Sequence, residues 1–102
     1  MRKHKTLVNT LNGSGKVYTG ELFISNVSYT IQVWQEFIDS IPSHKEIRGQ
    51  ITILDGERIL DVGSILTLKL EDDQDWQFFA SSGNPVTGVY EVVNVSGSDL
   101  TG

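Results

Sequence analysis

LTLKLEDDQDWQFFA, Leu66 to Ala80, sets the carboxylates of Glu71, Asp72, Asp73 and Asp75 between an alternating apolar run and an aromatic one. Leu66, Leu68 and Leu70 fall on one side of an extended chain and Thr67, Lys69 and Glu71 on the other, the period of a half-buried strand. DWQFFAS (75–81) resumes the alternation, with Trp76 and Phe78 on the apolar side. Two such strands separated by a few polar residues read as a β-hairpin. Aspartate suits the reversal because its carboxylate bonds nearby backbone N–H groups. The acidic run lacks the glycine and distal glutamate of a calcium loop, and like-charge runs are usually solvated, so it reads as a turn and no metal site is expected there.

The same period recurs outward from this hairpin. KVYTGELFI (16–24) puts Tyr18, Gly20, Leu22 and Ile24 on one face and Val17 and Phe23 on the other; SYTIQVW (28–34) puts Tyr29, Ile31 and Val33 opposite Thr30, Gln32 and Trp34. A turn at Ser25-Asn26 would pair them, with Phe23 opposite Ser28 and Trp34 opposite Val17. Trp34, Phe37, Ile38 and Ile41 also fit the i, i+3, i+4, i+7 spacing of a helical face, which leaves 34–41 open between strand and a single helical turn before Pro42. IRGQITIL (47–54) alternates again, and Asp55-Gly56 suits a tight hairpin turn into ERILDV (57–62). SGNPVTG (82–88) reads as a loop before a last strand, GVYEVVNV (88–95). TLVNT (6–10) adds a first strand, joined to the second through the turn residues Asn12–Gly15.

Short strands with hairpin-length connections imply an all-β fold. The expected form is a small antiparallel meander closed into a six- to seven-stranded barrel, with a two-layer β-sandwich as the alternative. At 102 residues the chain accommodates one core, placed at residues 6–96, between a loose basic start (1–5) and a flexible tail (97–102).

Composition removes several chemistries. The net charge is −5, and three of the eight Lys and Arg residues (Arg2, Lys3 and Lys5) lie at the start, which leaves a more acidic body that repels phosphate; no direct nucleic-acid contact is expected. Without cysteine there is no disulfide and no thiolate ligand. His4 and His44 are the only imidazoles, and no nucleophile elbow or phosphate loop is present, so neither an enzyme nor a cofactor is expected. No apolar run approaches the ~20 residues of a membrane helix. A cytoplasmic, membrane-free protein is the expectation.

The aromatic residues point further. Tyr18, Tyr29, Trp76 and Phe78 fall on apolar faces, where core filling explains them, whereas Phe23, Trp34 and Phe79 lie among polar neighbours. Aromatics in that position are enriched at interfaces, which makes these three the candidate interaction surface. The expected function is a small non-catalytic binding module, its partner another protein chain or a second copy. One alternative is an acidic decoy that occupies a basic nucleic-acid site on another protein. Another is a carbohydrate or small-ligand barrel, for which so short a barrel offers little cavity.

Overall fold

The computed structural model describes residues 2–58, 62–98 and 100. Its strands are β1 (Lys3–Thr19), β2 (Leu22–Ile38), β3 (Ile41–Gly56), β4 (Leu66–Lys69), β5 (Asp75–Asn84) and β6 (Val89–Asn94). They form a closed antiparallel ring in the order β1-β2-β3-β6-β5-β4. Two three-stranded meanders are thus joined twice, by β3 with β6 and by β1 with β4. Closure removes the sheet edges wherever it extends.

Alternation builds the interior. Val27, Tyr29, Ile31 and Val33 of β2 face inward with Ile47, Ile51 and Ile53 of β3, Leu66 and Leu68 of β4, and Trp76, Phe78 and Ala80 of β5. Tyr90 and Val92 of β6 complete the ring. Leu100, from the end expected to be a loose tail, is buried in the same cluster. The chain reaches it by folding back, with the Val95 N–H donating to the Gln77 carbonyl and the Gln77 N–H to Ser98 Oγ.

Closure is uneven, because the second meander is much shorter than the first. β4 meets β1 only at Lys16–Tyr18, and β6 meets β3 only at Arg48–Thr52. Beyond those contacts Lys3–Val8, Trp34–Ile38 and Ile41–Glu46 continue as a three-stranded arm, which lengthens the molecule to 46 × 25 × 21 Å. Lys3–Lys5 of the basic start are therefore part of β1.

Several turns differ from the sequence reading. Ser25-Asn26 lies within β2: Ser25 is buried and its hydroxyl donates to the Glu57 carbonyl, while Asn26 Nδ2 donates to Asp55 Oδ1 at 2.7 Å. The reversal falls instead at Gly20-Glu21, where Gly20 has φ 59°, the conformation a type II′ turn asks of its first central residue. This sets Phe23 opposite Tyr18 and Trp34 opposite Leu7. No helical turn forms at 34–41; β2 runs straight to a two-residue turn at Asp39-Ser40, with φ 51° and 67°. Asn12–Gly15 are strand, paired with Val27–Thr30. Asp55-Gly56 ends β3 without a hairpin: Glu57 and Arg58 belong to no strand, and the rest of the expected strand 57–62 falls mainly on residues 59–61, outside the described residues. A bulge between Val17 and Tyr18 turns Val17 into the core and leaves Tyr18 half-buried, the reverse of the expected facing.

The two buried tyrosines give a paired test. Tyr29 accepts the Glu71 N–H at 3.2 Å, whereas the Tyr90 hydroxyl is buried with no partner among the described residues. A satisfied hydroxyl contributes about 1 kcal/mol and an orphaned one costs a similar amount. In denaturant titrations Tyr29→Phe should therefore lower stability by about 1 kcal/mol, and Tyr90→Phe should leave it unchanged or raise it.

Candidate interaction surface

Residues directly opposed in an antiparallel ladder share a face, so register locates the off-face aromatics. Thr10 of β1 pairs with Gln32 of β2, Gln32 with Arg48 of β3, Arg48 with Val93 of β6, and Val93 with Phe79 of β5. This row runs around the outside of the ring. Trp34 stands two residues beyond Gln32 on the same face, between Leu7 and Glu46. Arg48 links the two positions, its guanidinium lying 5.7 Å from the centroid of the Trp34 ring, a cation–π contact. The indole N–H points back to Gln32 Oε1 at 3.4 Å. Trp34 and Phe79 are half-buried and Leu7 is 43% exposed, so the strip Leu7–Trp34–Arg48–Val93–Phe79 is an apolar surface with one cation set into it.

Phe23 does not join it. It lies eleven residues from Trp34 along β2, about 36 Å at the rise of an extended strand. There its ring packs edge-on against Tyr18, with centroids 5.8 Å apart. The expected three-aromatic surface is therefore two surfaces at opposite ends of the first meander.

Charge frames the strip. Glu46 takes an ion pair from Lys5 and a second from Arg48 at 3.4 Å, which ties β1 to β3 across β2. The hydrogen bond from Lys5, reinforced by the positive charge of Lys5, Arg48 and His44, outweighs desolvation and holds the Glu46 carboxyl below its ordinary value of 4.5. A lowered carboxylate pKa favours the folded state above that ordinary value, and the contribution is lost as pH falls through the lowered one. Glu46→Gln should therefore flatten stability against pH below about 4.5, by no more than roughly 1 kcal/mol for so accessible a pair, as followed by acid-titrated unfolding.

The acidic turn is built differently. Continuing the β1–β4 register past Lys69 sets Glu71 opposite Ser14, and there the Glu71 carboxylate takes the Ser14 N–H at 2.8 Å. Asp72 accepts from the Gln74 backbone at 3.2 Å and from its side chain at 2.6 Å, while Asp73 occupies the left-handed region at φ 68°. Asp75 pairs with Lys69 across the hairpin. Glu71 and Asp72 are thus structural acceptors that shape the turn. Among the described residues no three acidic or imidazole side chains are placed to hold a metal ion.

Comparison with protein-family models, curated proteins and solved structures finds no match to this chain. The surface therefore rests on its own chemistry. Sequence reading singled out Trp34 and Phe79 but not the Leu7, Arg48 and Val93 that share their face. Leu7 and Val93 look like ordinary strand residues, and Arg48 meets Trp34 only through the β2–β3 register.

Proposed function

We propose that this protein is a small non-catalytic protein-interaction module whose contact surface is the outer strip Leu7–Trp34–Arg48–Val93–Phe79, and that the partner this strip fits is another protein chain, in the first instance a second copy. The observation carrying the proposal is the register that sets Trp34 and Phe79 on one outer face, with Arg48 and Val93 between them. An apolar centre with cations and carboxylates at its border has the make-up of a protein interface. It also suits a two-fold contact, in which Lys5 and Arg48 of each copy can meet Glu46 of the other.

Charge distribution supports that choice of face. Five of the eight Lys and Arg residues (Arg2, Lys3, Lys5, Lys45 and Arg48) lie on the arm or at its base, against Glu36, Asp39 and Glu46 of the thirteen acids. The remainder of the protein is strongly acidic and repels its own kind. Copies therefore meet with less repulsion through the strip, where Glu46 offsets Lys5 and Arg48, than through the acidic remainder. Among the described residues the interior is occupied by large side chains, Trp76, Phe78 and Tyr90 among them.

Trp34→Ser and Phe79→Ser test the proposal together. Each should cost the monomer less than about 2 kcal/mol, below the range for truncating large buried side chains. Each should also shift self-association measured by sedimentation across a concentration series.

A further inference from the structure

From the open edge of the arm we infer a second docking site, which takes an acidic extended segment of another protein as an added strand beside Lys3–Val8 of β1. The inference rests on the reading of the protein as an interaction module and names a partner chemistry for a surface next to the strip. β1 is paired with β2 along its whole length but meets β4 only at Lys16–Tyr18. Among the described residues, its other side has no strand partner from Lys3 onward until β4 begins. An unpaired strand edge is a template for a further strand, and the main-chain hydrogen bonds supply affinity whatever the side chains are.

The edge is not open throughout. The Ser14 N–H is taken by the Glu71 carboxylate at 2.8 Å, and the Thr10 N–H by the Asn9 side chain at 2.9 Å. Both caps lie beyond Val8, on the barrel side of the arm. Side-chain acceptors at those two N–H groups interrupt a ladder between Thr10 and Ser14, while no such cap is found from Lys3 to Val8 among the described residues. Every residue from Arg2 to Val8 is exposed.

Side-chain charge then chooses the occupant. Arg2, Lys3 and Lys5 line this segment, so a second copy paired through the same edge would set cation against cation, which destabilises a cross-strand pair. Lysine on an edge is a common guard against such self-pairing. The same lysines favour a partner strand with carboxylates opposite them. Lys3, Lys5 and Leu7 share one face of the strand and His4 and Thr6 the other, so a partner strand that alternates acidic with apolar residues can set all its carboxylates on the lysine face. The protein's own acidic run cannot serve, because residues 71–75 are folded into the turn with Glu71 and Asp72 engaged.

The test uses the 102-residue chain and two capped six-residue peptides, one alternating glutamate with valine and the other lysine with valine. Backbone amide exchange is followed residue by residue by NMR. The glutamate peptide should slow exchange within Lys3–Val8 and leave Thr10–Ser14 unchanged. The lysine peptide should bind at least about tenfold more weakly, since the charge pairs across the ladder change sign. Lys3→Glu, at an exposed position, should narrow or reverse that preference. Three results would each overturn the inference: no protection with either peptide, equal protection by both, or glutamate binding that perturbs lysine side chains without slowing any amide. Loss of the edge would leave the Trp34–Phe79 strip standing, and unchanged sedimentation of the strip variants would leave the edge standing.

Discussion

Trp76→Ala is expected to cost about 3–5 kcal/mol, the range for removing a large aromatic from a packed core. The indole is fully buried and stacks on Phe78 with centroids 5.4 Å apart. Its N–H donates to Asn94 Oδ1 at 2.8 Å, so truncation also strips a partner from Asn94 at the end of β6. Because Phe78 pairs with both Leu66 and Asn94, the cavity would open where β4, β5 and β6 meet. Trp76→Phe should recover part of the loss, restoring the stack but not the hydrogen bond. Denaturant unfolding measures both, and a loss under about 1 kcal/mol for the alanine variant would place the ring outside the core.

Gly49→Ala should be comparably damaging for a different reason. Gly49 sits between Ile31 of β2 and Val92 of β6, and a Cβ built there falls 2.1 Å from the Thr30 carbonyl oxygen and 2.8 Å from the Ile31 Cα. Both obstacles are backbone, so no rotamer change relieves them. β2 and β3 must separate beside the buried Ile31 and Val92, which points to the upper end of the roughly 1–3 kcal/mol typical of overpacking, or beyond it. A variant of wild-type stability would show that the two strands do not approach so closely.

The contrast between these residues shows what the sequence carried. Trp76 and Phe78 were legible because alternation on both sides of 71–75 left one arrangement, a hairpin with its apolar side inward. Gly49 was silent, since nothing local to IRGQITIL reveals that another strand crosses its missing side chain. The 34–41 segment stayed open between strand and helical turn because Trp34, Phe37, Ile38 and Ile41 satisfy a helical spacing, while Asp39 and Ser40 are an unusual pair for a turn with both φ values positive. Asn12–Gly15 misled in the opposite sense: an Asn-Gly-Ser-Gly run forms strand because β2 pairs with it throughout. Tertiary pairing decides such segments, and local preference does not.

The same limit applied to the surface. Chemistry alone marked Phe23, Trp34 and Phe79 as out of place on polar faces, and that mark needs no long-range information. Their grouping does. It depends on the Gly20-Glu21 reversal, which carries Phe23 to the far end, and on β3–β6 pairing, which a simple meander does not contain.

The most direct test of the account is the Trp34→Ser, Phe79→Ser double variant, compared with wild type and with Phe23→Ser by sedimentation over a concentration series and by denaturant unfolding. The account predicts that the double variant keeps a cooperative transition, with each substitution costing less than about 2 kcal/mol, and loses self-association that Phe23→Ser retains. Sedimentation unchanged by the double variant, or a stability loss of core size with no change in association, would contradict it.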